Sequence, residues 1–191
     1  MIVFVQDFFV EQYRGGGELT TEAIIDSSLF PVNKLISSNV TKETMEQNKH
    51  CLWIFGNYAN LRKDCLLYAA KNLNYATIEY DYKHCKYRSI EKHIAAEKAC
   101  DCHNSKDGKL ISLFINNSKI SFWMSKMQMD KHIEIFPFLS KKKNYVLSSI
   151  FDKETIEYLK SLDTTNKNEK WLILNSPSWI VTGKQIGRAH V

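Results

Sequence analysis

The sequence predicts an α/β fold built on a doubly wound, mainly parallel six-stranded sheet. Short apolar runs rich in β-branched and aromatic residues recur along the chain, and amphipathic helical patterns separate them. The first apolar run leads through a glycine turn straight into a helical pattern. Strands that alternate with helices are typical of βαβ units, in which helices cover both faces of a parallel sheet.

Six apolar runs before residue 152 are predicted strands. The opening run, MIVFVQDFF, suits a strand buried on both faces. A weaker candidate, VNKLISS, follows it, and then the strong candidate CLWIFGN. The last three runs are YATIEYD (75–81), KISFWMS (119–125) and NYVLSSIF (144–151). Together they predict a complete Rossmann-like domain.

Helical patterns fill the intervals between these runs. We predict helices near residues 18–28, 41–50, 61–73, 107–118, 126–139 and 152–162. Thr41, Ser125 and Asp152 stand where N-caps of three of these helices belong, because their side-chain oxygens can accept hydrogen bonds from free backbone N–H groups. Residues 82–105 interrupt this alternation with a long polar segment, here called the polar excursion. Long loops of this kind are often functional or disordered.

The domain organisation follows from the composition of the last third of the chain. We expect a first domain over residues 1–162, a polar linker over 163–169, and the truncated start of a second domain over 170–185. The ending IGRAHV (186–191) resembles one reading frame of a common sequencing adapter, so we expect these residues to be an artefact.

Charge and hydropathy limit the class of protein. No apolar run reaches the length of a membrane span, and five cysteines without a secretory leader favour reduced thiols, so we expect a cytoplasmic protein. The net charge is +5, with one tight cluster at Lys141–Lys143. This cluster could contact the inner membrane face peripherally or form a helix–strand connection. Nucleic-acid binding is not predicted, since aromatic and basic residues do not interleave.

The glycine turn is the first candidate site. Gly15, Gly16 and Gly17 follow the first strand, and Glu18 stands in the first turn of the helix behind them. Glycine permits a positive φ and close approach of a ligand to the backbone, and helix N-termini attract phosphates. A flexible surface loop is the alternative. The spacing matches neither the dinucleotide nor the P-loop fingerprint.

Polar residues after the other strands extend this site, because ligands of doubly wound sheets bind beyond the carboxyl ends of the strands. The candidates include Asp7, which could instead cap a helix. Those expected to face substrate or donor phosphates are Asn57, Lys83, Lys86, Arg88 and Ser125. Asn57 and Ser125 could also be helix caps, and the three cations could simply be solvated. Glu18 and Asp81 are a candidate carboxylate pair for acid–base chemistry.

Cysteine and histidine concentrate in the polar excursion. Cys85, Cys100 and Cys102 with one histidine could bind zinc, but C-x-C-H is not a common zinc spacing. We therefore assign no metal ligand and no cofactor, and expect free thiols. The zinc site remains the alternative.

A family resemblance rests on two stretches. QDFFVEQYRGGGELTTEAI reads as a variant of a "GG-x-E" opening after the first strand, and VLSSIFD followed by KWLILNSPSWI resembles a crossing into a second domain. The chain thus resembles the N-terminal half of glycosyltransferases with the GT-B architecture, of the retaining group 1/4-like type. We expect it to be a truncated metagenomic fragment of such a protein.

The resemblance implies a hexosyltransferase-like enzyme whose first domain holds a glycan or lipid-linked acceptor. The missing second domain would bind most of the nucleotide-sugar donor, and no metal would act at the catalytic centre. Gly15–Gly17 would face the donor phosphates, and His84, within YDYKHCKYR, would assist at the reacting sugar. The alternative is a non-catalytic α/β module that binds a phosphorylated ligand or partner. A nucleotide-dependent oxidoreductase is disfavoured because the dinucleotide fingerprint is missing.

Overall fold

A computed structural model describes residues 1–161 of the chain. Its six strands pair in parallel throughout, in the order β2-β1-β3-β4-β5-β6. The strands are β1 (Ile2–Gln6), β2 (Val32–Ile36), β3 (Leu52–Phe55), β4 (Asn74–Glu79), β5 (Ile120–Trp123) and β6 (Lys143–Val146). The predicted six-stranded, doubly wound α/β fold is confirmed.

Seven α-helices accompany these strands within residues 1–161. They are α1 (Gly16–Asp26), α2 (Lys42–Gln47), α3 (Lys63–Asn72), α4 (Ile90–Glu97), α5 (Lys106–Asn117), α6 (Lys126–Ile135) and α7 (Lys153–Ser161). Helix α4 lies inside the polar excursion, where no helix was predicted. Residues 1–150 form one compact unit, and residues 151–161, which include α7, belong to another. From the sequence we expected the first domain to extend to residue 162. The predicted linker, second domain and artefact lie outside the described residues.

The three predicted helix caps are confirmed. Thr41 Oγ1 accepts a hydrogen bond of 3.2 Å from the N–H of Thr44, and Ser125 Oγ accepts one of 3.1 Å from the N–H of Gln128. Asp152 Oδ1 accepts one of 2.7 Å from the N–H of Thr155. Each cap satisfies a backbone donor that the helix itself leaves without a partner.

Side chains pack on both faces of the sheet, since successive side chains of a strand point to opposite sides. Val3 and Val5 of β1 enter the core that also contains Phe55 and Phe114, whereas Phe4 packs with Ile78 on the other face. The Phe114 ring stacks on Tyr75 at 4.7 Å and meets Phe55 edge to face at 5.1 Å. Truncating such a buried ring to alanine costs about 3–5 kcal/mol.

The lysine cluster connects a short 3-10 helix (Pro137–Lys141) to β6, as one alternative predicted. Lys142 turns inward, where its Nζ donates hydrogen bonds of 2.6 Å to the Ile115 carbonyl and 2.7 Å to Ser121 Oγ. Burial lowers the pKa of Lys142 to about 8. Lys141 and Lys143 are exposed. Among residues 1–161, no helix has the length and apolar character needed to cross a bilayer.

Candidate functional site

The strand order creates a crevice between β1 and β3. From β1 the chain passes through α1 to β2 on one side, whereas from β3 it passes through α3 to β4 on the other. Where the connections leave in opposite directions, no helix covers the strand ends, and ligands of doubly wound sheets bind there. The predicted glycine turn follows β1 at this point.

The three glycines form the N-terminus of α1 rather than a separate loop. Gly15 is the N-cap residue, and no side chain caps this helix. A Cβ atom on Gly17 would lie 3.6 Å from Nδ2 of Asn57, so the turn approaches the residues that follow β3. A Cβ atom on Gly16 would meet no atom within 4 Å. The space next to Gly16 at the start of α1 is therefore open.

None of the three glycines uses the positive φ that glycine permits. Gly15 has an extended backbone with φ −103°, and neither Gly16 nor Gly17 has a left-handed φ. Gly15 is needed for space, because a Cβ atom there would lie 2.5 Å from Glu18 Oε2 and 2.7 Å from the Tyr13 ring. Glu18 itself is buried against this turn.

Arg88 joins the loop after β4 to the end of β3. Its Nη2 donates a hydrogen bond of 2.8 Å to Asn57 Oδ1 and forms an ion pair of 2.6 Å with Asp81 Oδ2. Arg88 has a φ of 57°, which is rare for a residue with a side chain and marks a strained position. Its buried Nε has no hydrogen-bond partner among the described residues. Asn57 thus lies between the glycine turn and this guanidinium.

Two side chains at the end of β1 hold the loop after β3. The Asp7 carboxylate accepts hydrogen bonds of 3.1 Å from the N–H groups of Ala59 and Asn60, and a third from Ser37 Oγ. Gln6 Oε1 accepts a hydrogen bond of 3.1 Å from the N–H of Asn57. Asp7 therefore fixes a loop, and Asn57 binds Arg88. The alternative that they cap helices is wrong.

Lys83 is not solvated, so the alternative that the sequence left open for it is wrong. Its side chain is 2% exposed, and its Nζ lies 3.3 Å from Oε2 of Glu79, which is fully buried. Tyr58 donates a hydrogen bond of 2.9 Å to the other oxygen of Glu79. Burial raises the pKa of Glu79, and the neighbouring ammonium opposes that rise. The ammonium of Lys83 thus neutralises a buried carboxylate.

A small pocket opens beside this ion pair. Its volume is about 230 Å³, and it lies between the loop after β3 and residues 83–88. Apolar side chains, four cations and one carboxylate line it: Tyr58, Leu61, Leu66, Leu110, Ile111, Lys63, Lys83, Lys86, Arg88 and Asp107. This lining suits a small ligand with an anionic group.

His84 lies among aromatic rings. It is 4% exposed, and its ring meets those of His132 and Phe136 edge to face at 5.2 Å. Burial lowers the pKa of His84 to about 4, so the imidazole is neutral at pH 7. Its Nδ1 has no hydrogen-bond partner among residues 1–161. A catalytic role for His84 stays a prediction.

The remaining candidates have local partners. Lys86 Nζ donates a 2.8 Å hydrogen bond to Glu97 of α4, and Ser125 caps α6. The structure therefore brings Gly15–Gly17, Asn57, Asp81 and Arg88 together around the crevice. It engages Lys86, Lys83 and Ser125 in other contacts. Their predicted roles toward a donor phosphate stay predictions.

The cysteines of the polar excursion converge on one histidine. The ligand atoms of Cys85, His93, Cys100 and Cys102 all lie within 4.8 Å of one another, and these residues could hold a metal ion. The other two cysteines, Cys51 and Cys65, lie in the hydrophobic core. Sequence spacing did not select His93 over His84 or His103. Glu97 could have distinguished His93 from the other two histidines, because it follows His93 by four residues and residues at i and i+4 share a helix face.

Fold and site together define a doubly wound α/β domain with a glycine-bounded polar crevice at its topological switch point and a compact Cys₃His cluster beside it. Comparisons with protein-family models, with curated proteins and with solved structures find no match.

Proposed function

We propose that this chain is the acceptor-side domain of a GT-B glycosyltransferase, which transfers a sugar from a nucleotide sugar to a glycan, lipid or other acceptor. The observation that carries the proposal is the meeting of the glycine turn, Asn57 and Arg88 at the switch point between β1 and β3. The resemblance in QDFFVEQYRGGGELTTEAI supports the same function.

The glycine turn would receive the donor phosphates. The start of α1 carries no side-chain cap, and its free N–H groups with the helix dipole favour an anion. The space around Gly16 lets a phosphate approach the backbone. Arg88 adds a positive charge, although Asp81 offsets part of it.

The candidate catalytic residues differ in their access to the crevice, because Asp81 is partly exposed, whereas Glu18 and His84 are buried. Asp81 is held in place by Arg88, and Glu18 is held under the glycine turn. His84 is neutral at pH 7 and has a free ring nitrogen, so it could accept a proton or a hydrogen bond after a local rearrangement. The donor nucleotide itself would bind mainly to a second domain.

The proposal includes a cytoplasmic location with peripheral contact at the inner membrane face. Lys141 and Lys143 are exposed on either side of the inward-turned Lys142. Exposed lysines attract anionic lipid headgroups, each by about 1 kcal/mol near the surface. A lipid-linked acceptor would then lie near the domain.

The test is release of nucleoside diphosphate from a panel of nucleotide sugars. It compares this chain with the product of its gene, extended to the stop codon. We expect turnover by the extended protein only, because transfer requires donor and acceptor to be held together. Turnover by the 191-residue chain above a heat-inactivated control would contradict the division between domains. A stop codon soon after Trp179, with no turnover, would favour the non-catalytic module.

A further inference from the structure

We propose that Cys85, His93, Cys100 and Cys102 form a structural zinc site that fixes the polar excursion on the domain. The inference does not depend on the proposed transferase function. It rests on the distances between the four side chains, on the hydrogen bonds behind the histidine and on the packing of the loop that carries them.

Three of the six distances between the ligand atoms match a tetrahedral zinc ion, and the other three are within 4.8 Å. Zinc bonds of about 2.3 Å to sulfur and about 2.0–2.1 Å to nitrogen place two sulfurs about 3.8 Å apart, and sulfur and nitrogen about 3.5 Å apart. Here Cys85 and Cys100 have their Sγ atoms 3.7 Å apart. The Nδ1 of His93 lies 3.5 Å from Cys85 Sγ and 3.4 Å from Cys102 Sγ.

A disulfide does not explain this cluster. The sulfur–sulfur distance of 3.7 Å is far longer than a disulfide bond of about 2.05 Å, and all three cysteines are free. Three thiols and an imidazole that converge on one point are the ligand set of structural zinc sites. Because four protein ligands complete a tetrahedron, no coordination position remains open for a substrate, and the site is structural rather than catalytic.

The hydrogen bonds of His93 orient its ring toward the thiols. Its Nε2 lies 3.1 Å from Oε2 of Glu97, one turn further along α4. Glu97 is fixed in turn by hydrogen bonds of 2.8 Å from Lys86 Nζ and 2.9 Å from the Tyr87 hydroxyl. A carboxylate behind a metal-binding histidine fixes the tautomer that leaves the other nitrogen free for the metal. Nδ1 is the nitrogen that faces the sulfurs.

The local backbone supports the cluster. Cys85 lies in the turn that closes at Arg88, where the N–H of Arg88 donates a 2.8 Å hydrogen bond to the Cys85 carbonyl. Cys102 begins a short 3-10 helix, and a Cβ atom on Gly108 of α5 would overlap the Cys102 carbonyl oxygen. Zinc would thus join the turn after β4, helix α4 and the segment against α5. It would thereby hold Arg88 at the crevice.

Metal analysis of protein purified under reducing conditions without chelator tests the proposal. We expect one zinc per chain, lost in Cys100→Ser and in His93→Ala. The matched controls are Cys51→Ser, a core cysteine outside the cluster, and His103→Ala, a histidine of the same segment outside it. Both controls should retain zinc. His93→Cys should also retain it, because four thiolates bind zinc well.

Two further measurements cover variants that fail to fold. Cobalt added to chelator-treated wild-type protein should give the absorption of a tetrahedral cobalt–thiolate site. Glu97→Gln should weaken zinc binding by about 10–100-fold. Wild-type protein that is folded, carries no zinc and binds no cobalt would overturn the proposal. So would iron in place of zinc, or a loss of zinc from the controls equal to that from Cys100→Ser.

Discussion

The ammonium group of Lys83 lies 3.3 Å from the carboxylate of Glu79, and both side chains are buried in the domain. Two charges removed from water remain tolerable only while each compensates the other, and removing one partner costs more than removing both. The ion pair between Lys83 and Glu79 therefore holds the loop after β4 against the sheet, and the loss of either charge alone should destabilise the domain.

Lys83→Met should lower the free energy of unfolding by about 3–5 kcal/mol, because it leaves Glu79 buried without its countercharge. Glu79→Gln combined with Lys83→Met should recover most of that loss. Denaturant unfolding of the two variants and of wild type measures it. A double variant as unstable as the single one would show that the packing of Lys83, not its charge, matters.

Asp7→Ala should lower the free energy of unfolding by about 1–3 kcal/mol, since it leaves the Ala59 and Asn60 N–H groups without their acceptor. Asp26→Ala, at an exposed position in α1, is the control and should change it by less than about 0.5 kcal/mol. Thermal or denaturant unfolding decides between them, and equal effects of the two substitutions would refute the loop-fixing role of Asp7.

His132 should lower the free energy of unfolding of the domain in mild acid. Its folded pKa is lowered to about 3, mainly by burial and also by the neighbouring His84 and Lys83, while the Gln128 carbonyl and Asp81 oppose the shift. Tyr82 and Trp123 pack on its ring. The unfolded chain takes up this proton near pH 6.5 and the folded chain does not, so the free energy of unfolding falls as pH drops below about 6.5.

His132→Leu tests this effect, because leucine carries no proton in either state. Between pH 7 and 4.5 the variant should lose about 2 kcal/mol less stability than wild type does. Unfolding in denaturant at several pH values measures the slope, with His50→Gln, at an exposed position, as the control. Parallel slopes for His132→Leu and wild type would contradict the prediction.

The sheet was predictable because its strands are buried on both faces and read as apolar runs. Each of the six runs overlaps one strand, although β4 and β6 begin one residue before the predicted run, and Thr41, Ser125 and Asp152 cap the helices predicted for them. Helix α4 was not predicted, since its buried residues are only Ile90 and His93, and its other large apolar residue, Ile94, is exposed. An apolar stripe that narrow does not stand out in a sequence.

The site was predictable in outline only. Strand ends located Asn57, Asp81 and Arg88 correctly, because parallel strands end at one edge of the sheet. The burial of Lys83 depends on Glu79, which is a tertiary contact that local sequence does not encode. The choice of His93 among three histidines likewise depends on how α4 folds back over Cys85.

The two neighbouring glycines should respond differently to a side chain. Gly15→Val places a Cβ atom against Glu18 and Tyr13, which must shift, so it should lower stability by about 1–3 kcal/mol. Gly16→Val enters open space and should change stability by less than about 1 kcal/mol. Melting temperatures of the two variants compare them. A larger loss from Gly16→Val would contradict this arrangement of the turn.

Under the proposed function, the open face of Gly16 receives the donor phosphates. The most direct measurement is kcat/KM for nucleotide-sugar turnover by the extended protein, for wild type and Gly16→Val, beside their melting temperatures. We expect a normal melting temperature and a loss of about a hundredfold in kcat/KM, because a displacement of about 1 Å at a reacting centre has that effect. A variant with the melting temperature and the kcat/KM of wild type would contradict this proposal, because the glycines would then contact no ligand.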